Sequence, residues 1–206
     1  MYQFFVYRVF YLIEYFYICI TCINPALCLF IYLWCCLRCV TIIIFGILFA
    51  TYAAYLNPVG LAGGPGPQDL FDIKSVAIQP GLLLLGGVAY GGVSLTLKYD
   101  GGTRKVILWL LICAMLGAGF VFFEVRDFIS QAQMGGVPQA SGWLSAYWTL
   151  VGLHGLHVSV GILWIAAMIA QISTRGLDDV VKVRLSMLGV FWHFLDLIWV
   201  GIFSFV

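Results

Sequence analysis

Long apolar stretches alternate with short, turn-rich connections along this chain. Five stretches come close to or exceed the roughly 20 mostly apolar residues that an α-helix needs to cross a bilayer. They cover approximately residues 39–56, 78–97, 106–125, 142–172 and 185–206. The connections are rich in glycine, proline and charged residues, which favour turns. The pattern predicts an all-α fold, a polytopic membrane helical bundle with five transmembrane helices.

Lysine and arginine are distributed unequally between the two sides of the predicted bundle. The connections after the first and third stretches hold only Lys74 and Arg126. Those after the second and fourth hold six basic residues: Lys98, Arg104, Lys105, Arg175, Lys182 and Arg184. Basic loops are retained on the cytoplasmic side of a membrane, so the C-terminus is expected outside. All six except Lys98 are also candidates for contacts with anionic phospholipid head groups, although membrane topology alone explains the same bias.

Composition excludes several classes of protein. The 206 residues are 63% hydrophobic and 9% charged, whereas soluble domains are normally about one quarter charged. The net charge is +1 and the basic residues are scattered, so no nucleic-acid partner is expected. The sequence contains no glycine-rich nucleotide loop and no nucleophile motif, which argues against an independent enzyme.

Residues 1–38 differ in character from the five-helix domain predicted at 39–206. They are apolar and strongly aromatic, with a break at Asn24-Pro25. Two interpretations remain open: an interfacial or sixth spanning helix, which hydrophobicity alone favours, or a non-native reading of the gene upstream of residue 40. Six of the seven cysteines lie in the first 39 residues. Their apolar neighbours favour buried thiols over a zinc site.

Three pairs of ionisable residues lie in or at the ends of the last three apolar stretches. The members of each pair are three residues apart, which places them on one helix face; the pairs are Glu124 with Asp127, His154 with His157, and His193 with Asp196. An ionisable group in hydrocarbon is unfavourable and usually has a partner or a function. We predict structural polar pairs inside the bundle, with Glu124 or Asp127 facing His154 or His157.

Other roles for these residues are less well supported by their spacing. Carboxylates and imidazoles are the ligands of di-iron and zinc centres, but the Glu-x-x-His pattern of di-iron bundles does not occur. A proton relay needs a continuous chain of groups across the membrane, and the pairs lie on only three helices. We therefore predict no catalytic residue, no metal and no cofactor in this chain. The alternative is a stand-alone transporter or channel using the histidines and Glu124, a class that usually shows internal repeats.

Five ordered motifs carry a family resemblance. In chain order they are FGILFATYAAYL, GGPGPQDLFDI, GAGFVFFEVRDF, SGWLSAYWTLVGLHGLHVSVGILW and FWHFLDLIWV, and the similarity covers about residues 42–206. Together they resemble subunit III of haem-copper terminal oxidases. The GGPGPQDLF segment and the number of helices are most like the quinol (ubiquinol) oxidase branch, with the cytochrome c oxidases as the alternative.

The resemblance implies a non-redox membrane subunit of a proton-pumping, oxygen-reducing complex in aerobic respiratory electron transport. Haem and copper would belong to the partner, catalytic subunit I, beside which this chain would pack with the other oxidase subunits. Bound phospholipid is expected, together with a role in sustaining proton uptake and stability during turnover. The complex would lie in the bacterial cytoplasmic (inner) membrane, with the C-terminus of this chain on the periplasmic side.

The polar residues of the family fall on the three pairs already described, with one departure elsewhere. The family has an acidic residue shortly before the LFATY-like run, and Thr41 occupies that place here. Either this chain lacks the carboxylate, or the sequence there is not native.

Glycine and tryptophan give two expectations about packing. Gly87 and Gly91, four residues apart, would form a small surface on which another helix packs closely. The aromatic residues Trp143, Trp148, Trp164, Trp192 and Trp199 include candidate membrane-interface anchors, or else fill grooves and subunit contacts.

Overall fold

Five long helices form the part of the chain that the computed structural model describes, residues 25–57, 73–99 and 102–205, with side chains from residues 34 and 78 onward in the first two ranges. They are α1 (Pro25–Tyr55), α2 (Ile73–Lys98), α3 (Thr103–Gln133), α4 (Gly142–Arg175) and α5 (Asp179–Phe205). No strand occurs within these ranges. Each helix contains a segment long and apolar enough to span a membrane. The predicted all-α membrane bundle is confirmed.

The first helix is longer than the predicted first span. α1 has Pro25 at its first position, where the missing N–H of proline is not needed. It continues without interruption through residue 38, because the sequence stays apolar and contains no proline or glycine between Pro25 and Gly46. The contacts of the chain separate into two units whose boundary also lies within α1, between Ile47 and Leu48.

The described part of the first unit contains Thr41, the position at which the family has an acid. The Thr41 hydroxyl donates to the carbonyl of Leu37 one turn earlier, at 2.9 Å. Cys36 and Cys39 lie exposed on the same helix, and neither forms a disulfide. Residues 1–24, where an extra span was one interpretation, and the GGPGPQDLF segment at 63–71 lie outside the described residues.

Several helix ends differ from the predicted ones. α3 ends at Gln133 and α5 starts at Asp179, whereas the sequence predicts an end at 125 and a start at 185. Hydropathy finds only the apolar part of a helix, while polar end turns are held by capping and by the helix dipole. Ser141 caps α4 by accepting from the N–H of Leu144, and the carboxylate of Asp179 lies in the positive first turn of α5.

The side chain of Trp192 on α5 forms the centre of the bundle. Its indole lies against a glycine on each of three other helices, Gly86 on α2, Gly117 on α3 and Gly161 on α4. The ring is fully buried, because these three positions have no side chain to keep it out. Trp192 is therefore a core residue and not one of the membrane-interface anchors that the five tryptophans could include. Trp143 and Trp199 are also buried in the bundle.

A tyrosine makes a second close contact between α2 and α5. The ring of Tyr90 lies against Gly189, and its hydroxyl donates to the carbonyl of Leu185 at 2.6 Å. The predicted glycine surface on α2 is correct only in part. Gly87 contacts α5, whereas no described atom outside its own helix lies within 4 Å of the position that a Cβ on Gly91 would take.

Side chains of α4 hold the connection between α3 and α4. The indole N–H of Trp148 donates to the carbonyl of Gly136 at 2.9 Å, and the hydroxyl of Ser145 donates to the carbonyl of Pro138 at 2.5 Å. The Trp148 ring stacks on Phe128 with 4.3 Å between centroids. This connection is therefore attached to both helices that it joins.

We expect Gly117→Ala to destabilise the bundle, with Gly119→Ala as its matched control on the same helix. A Cβ at residue 117 would lie 2.7 Å from the Trp192 ring, whereas at residue 119 the nearest atom would be 3.9 Å away. Alanine gains up to about 1 kcal/mol in a helix, but overpacking a close contact costs about 1 to 3 kcal/mol. Thermal unfolding in detergent should therefore show a lower midpoint for Gly117→Ala only. Equal midpoints for the two variants would contradict the central role of Trp192.

Candidate functional site

Glu124 lies inside the bundle on α3, with 4% of its surface exposed. Its carboxylate lies against Gly155 of α4, and a Cβ at that position would collide with both carboxylate oxygens. Both carboxylate oxygens are buried. The carboxylate therefore contacts α4 through the backbone surface that Gly155 exposes, next to His154.

His154 connects α4 to α5. It is 0% exposed, and its Nε2–H donates to the carbonyl of Leu195 at 3.2 Å. Its ring packs edge-on against Phe120 of α3, 5.6 Å between centroids, and lies 4.9 Å from Trp199 of α5. The imidazole is thus held by three helices, in a position fixed by aromatic packing.

Asp127 is directed to a different helix from Glu124, although the two are one turn apart. The side-chain amide of Gln79 on α2 donates to Asp127 Oδ2 at 2.6 Å. A hydrogen bond to a charged acceptor is stronger than a neutral one. Asp127 therefore ties α3 to α2, whereas Glu124 packs α3 against α4.

His157 does not share the surroundings of His154. It is half-buried, and its Nδ1–H donates to the carbonyl of Leu153 in its own helix at 2.7 Å. Residues three apart on a helix differ by about 60° in direction, which is enough to turn this imidazole away from the position of His154. The two histidines therefore have separate hydrogen-bond partners.

His193 and Asp196 lie next to each other on α5, as their spacing predicts. His193 Nδ1 and Asp196 Oδ2 are 3.6 Å apart. The carboxylate of Asp196 is mostly buried and lies against Gly87 of α2, where a Cβ would collide with it. The imidazole of His193 is 52% exposed. This pair therefore has one member inside the bundle and one on its surface.

The candidate lipid-binding residues lie at the end of the bundle where α2 joins α3 and α4 joins α5. Arg104, Lys105 and Arg175 are exposed there. Lys182 pairs with Asp179 at 3.6 Å, and Arg184 donates to the side-chain oxygen of Gln171 at 2.9 Å. Two of the five candidates thus contact polar groups of the chain, and three extend from the surface.

The structure adds contact residues that hydropathy and charge did not indicate. Gly155 and Gly87 each receive a buried carboxylate, and Gln79 holds Asp127. Gln79 could have been noticed, because it is the single amide side chain in α2. Within residues 25–57, 73–99 and 102–205, no three side chains of His, Cys, Asp or Glu come together as a metal-binding group. The absence of a metal from the protein stays a prediction.

Comparison with known proteins decides the family. The chain is 41% identical over 164 residues to cytochrome bo(3) ubiquinol oxidase subunit 3 of Pseudomonas putida, which covers 80% of this chain and 78% of the relative. It is 34% identical over 163 residues to quinol oxidase subunit 3 of Bacillus subtilis, covering 79% and 78%. The chain belongs to the quinol oxidase subunit 3 family. No family model matches it.

Family membership confirms the resemblance carried by the five motifs. A third relative, cytochrome bo(3) ubiquinol oxidase subunit 3 of Buchnera aphidicola, is 37% identical over 164 residues, covering 80% of this chain and 83% of its own length. The chain is thus an integral membrane subunit of a multi-subunit quinol oxidase. The roles of its individual polar residues are not decided by these identities.

We predict that Gly155→Ala destabilises the chain through Glu124. The added Cβ would collide with the Glu124 carboxylate, whereas at Gly152 a Cβ would meet only the Phe128 ring at 3.9 Å. Gly155→Ala should therefore cost about 1 to 3 kcal/mol, and Gly152→Ala should be tolerated. The measurement is unfolding in detergent.

A double-mutant cycle tests the cause. Glu124→Ala in the Gly155→Ala background removes the colliding group, so the two changes should be coupled by about 0.5 to 3 kcal/mol. Strict additivity would show that the two residues do not meet.

Proposed function

We propose that this chain is a non-catalytic accessory subunit of a proton-pumping haem-copper terminal oxidase that oxidises quinol. It packs beside catalytic subunit I, which carries the haem and copper, and keeps that subunit active during turnover. The observation that carries the proposal is that buried and half-buried polar groups hold helices to one another. Glu124 lies on Gly155, His154 donates to Leu195, and Asp127 accepts from Gln79.

These contacts support a structural rather than a redox role for the polar pairs. Binding of a metal to His154 Nε2 or His157 Nδ1 would break the hydrogen bonds that these atoms make with the carbonyls of Leu195 and Leu153. An interhelical hydrogen bond, such as that from His154, is worth about 0.6 kcal/mol on average in membrane proteins and up to about 1.7 kcal/mol. Each is modest, and with the bond from Gln79 to Asp127 they link α4 to α5 and α2 to α3.

The exposed basic residues support lipid binding at one end of the bundle. Arg104, Lys105 and Arg175 extend from the two connections on that side, and each basic residue near an anionic surface contributes about 1 kcal/mol of attraction. The same residues support an orientation with this end in the cytoplasm and the C-terminus in the periplasm, across the bacterial inner membrane. No observation on the described residues favours the stand-alone transporter or channel.

The purified subunit is expected to contain no stoichiometric metal. Elemental analysis of the separated chain should find less than one iron, copper or zinc per chain, while the assembled oxidase, as the positive control, should contain its haem iron and copper. A metal that is present one per chain and lost in Glu124→Gln or His154→Gln would overturn the non-redox assignment.

Removing the subunit should leave oxygen reduction intact at first and shorten the active life of the enzyme. Oxygen uptake with a quinol substrate would be followed over time for the complex with and without this chain, at equal haem content. We expect similar initial rates and faster inactivation without the chain, because the redox centres belong to the partner. A fully haem-loaded complex with no activity from its first turnovers would argue for a catalytic part played by this chain.

A further inference from the structure

We propose that the face of α5 around His193 is covered in the assembled oxidase by a membrane helix of another subunit, and that this helix supplies a hydrogen-bond donor to the His193–Asp196 pair. This inference rests on the proposed function, since it needs partner subunits in the same membrane. The face is defined by the exposed residues Ser186, His193, Leu197, Val200 and Ser204.

His193 lies far along α5 from the lipid head groups at either end of the span. It lies 14 residues from the start of α5 and 12 from its end, about 21 Å and about 18 Å at 1.5 Å per residue. That is the middle of the span. An ionisable side chain at this depth normally faces the bundle interior or a water-filled cavity, or pairs with another polar group, yet the imidazole is 52% exposed.

The other polar side chains on this face are satisfied by their own helix. Ser186 donates to the carbonyl of Lys182 at 3.0 Å, and Ser204 donates to that of Val200 at 2.7 Å. His157 on α4 does the same with Leu153. His193 is different, because its Nδ1 faces the carboxylate of Asp196 instead of a carbonyl one turn earlier.

The hydrogen-bonding atoms of the His193–Asp196 pair indicate that a donor from outside the chain would complement it. The geometry points to a proton on Nδ1, because this atom faces Asp196 Oδ2 at 3.6 Å; Nε2 is then left as an acceptor. Asp196 Oδ1 is buried inside the bundle, so a helix on this face would not reach it. The pair therefore presents one acceptor to this face, Nε2 of His193, and a hydroxyl, amide, indole or cationic side chain would complement it. Lipid tails supply no donor, so a helix carrying one is the occupant that fits.

Site-directed photo-cross-linking in the assembled oxidase tests the occupant. Benzoylphenylalanine would replace Leu197, which is exposed one turn from His193, in membranes containing the whole complex. We expect an adduct with another polypeptide of the purified oxidase, and peptide mapping should place it on a membrane helix with a donor side chain within one turn. An adduct only with phospholipid, or with a second copy of this chain, would overturn the proposal.

A substitution series tests the hydrogen bond independently. His193→Leu should weaken retention of this chain on the haem-bearing subunit during detergent washing by about three- to eighteenfold, the range expected for one interhelical hydrogen bond. His193→Gln should retain more, since its amide can still donate and accept. Met115→Leu, at an exposed position on α3, is the control. If the face were covered by lipid alone, His193→Leu would leave retention unchanged or improve it.

These outcomes separate the inference from the proposed function. If the wild-type chain does not purify with a haem-bearing subunit, the proposed function fails. If it does so and residue 197 reaches only lipid, the proposed function stands and this inference alone is wrong.

Discussion

The close packing of α2, α3 and α4 on α5 depends on one large side chain that lies against three glycines. Trp192 of α5 lies against Gly86, Gly117 and Gly161, which belong to three different helices. In hydrocarbon, helices gain little by hiding apolar surface from lipid, so close van der Waals packing has to hold them together. A buried indole offers a large area for such packing. The distances of α2, α3 and α4 from α5 are therefore set by the dimensions of a single ring.

The two buried carboxylates also pack against glycines on a neighbouring helix. Glu124 lies on Gly155 and Asp196 lies on Gly87. A glycine brings the partner helix close and exposes its Cα–H groups, which are weak donors to oxygen. Polar and aromatic groups thus occupy the same kind of position, a hole left by glycine on the facing helix. This explains why residues that look unfavourable in an apolar span are compatible with tight packing.

The sequence was sufficient for the fold and the family, and insufficient for the contacts within them. Apolar length alone indicates each span, and the HGLHV and WHFLD stretches carry the family likeness. The contacts of the polar residues could not be predicted, because a spacing of three residues does not show which neighbouring helix each side chain faces. Glu124 and Asp127 are three residues apart on α3, yet Glu124 contacts α4 and Asp127 contacts α2. Trp192 resembles an interface anchor until Gly117 and Gly161, far away in sequence, are seen beside it.

The attached connection between α3 and α4 has a consequence for the motions of that end of the bundle. Loops usually open locally far more often than the helices they join. Here the carbonyls of Gly136 and Pro138 are held by Trp148 and Ser145, so exposing this stretch requires movement of the first turns of α4. The N–H groups of Gly136 and Ala140, which donate to the carbonyls of Gln131 and Val137, should exchange with solvent slowly, and a protease should find the segment a poor substrate.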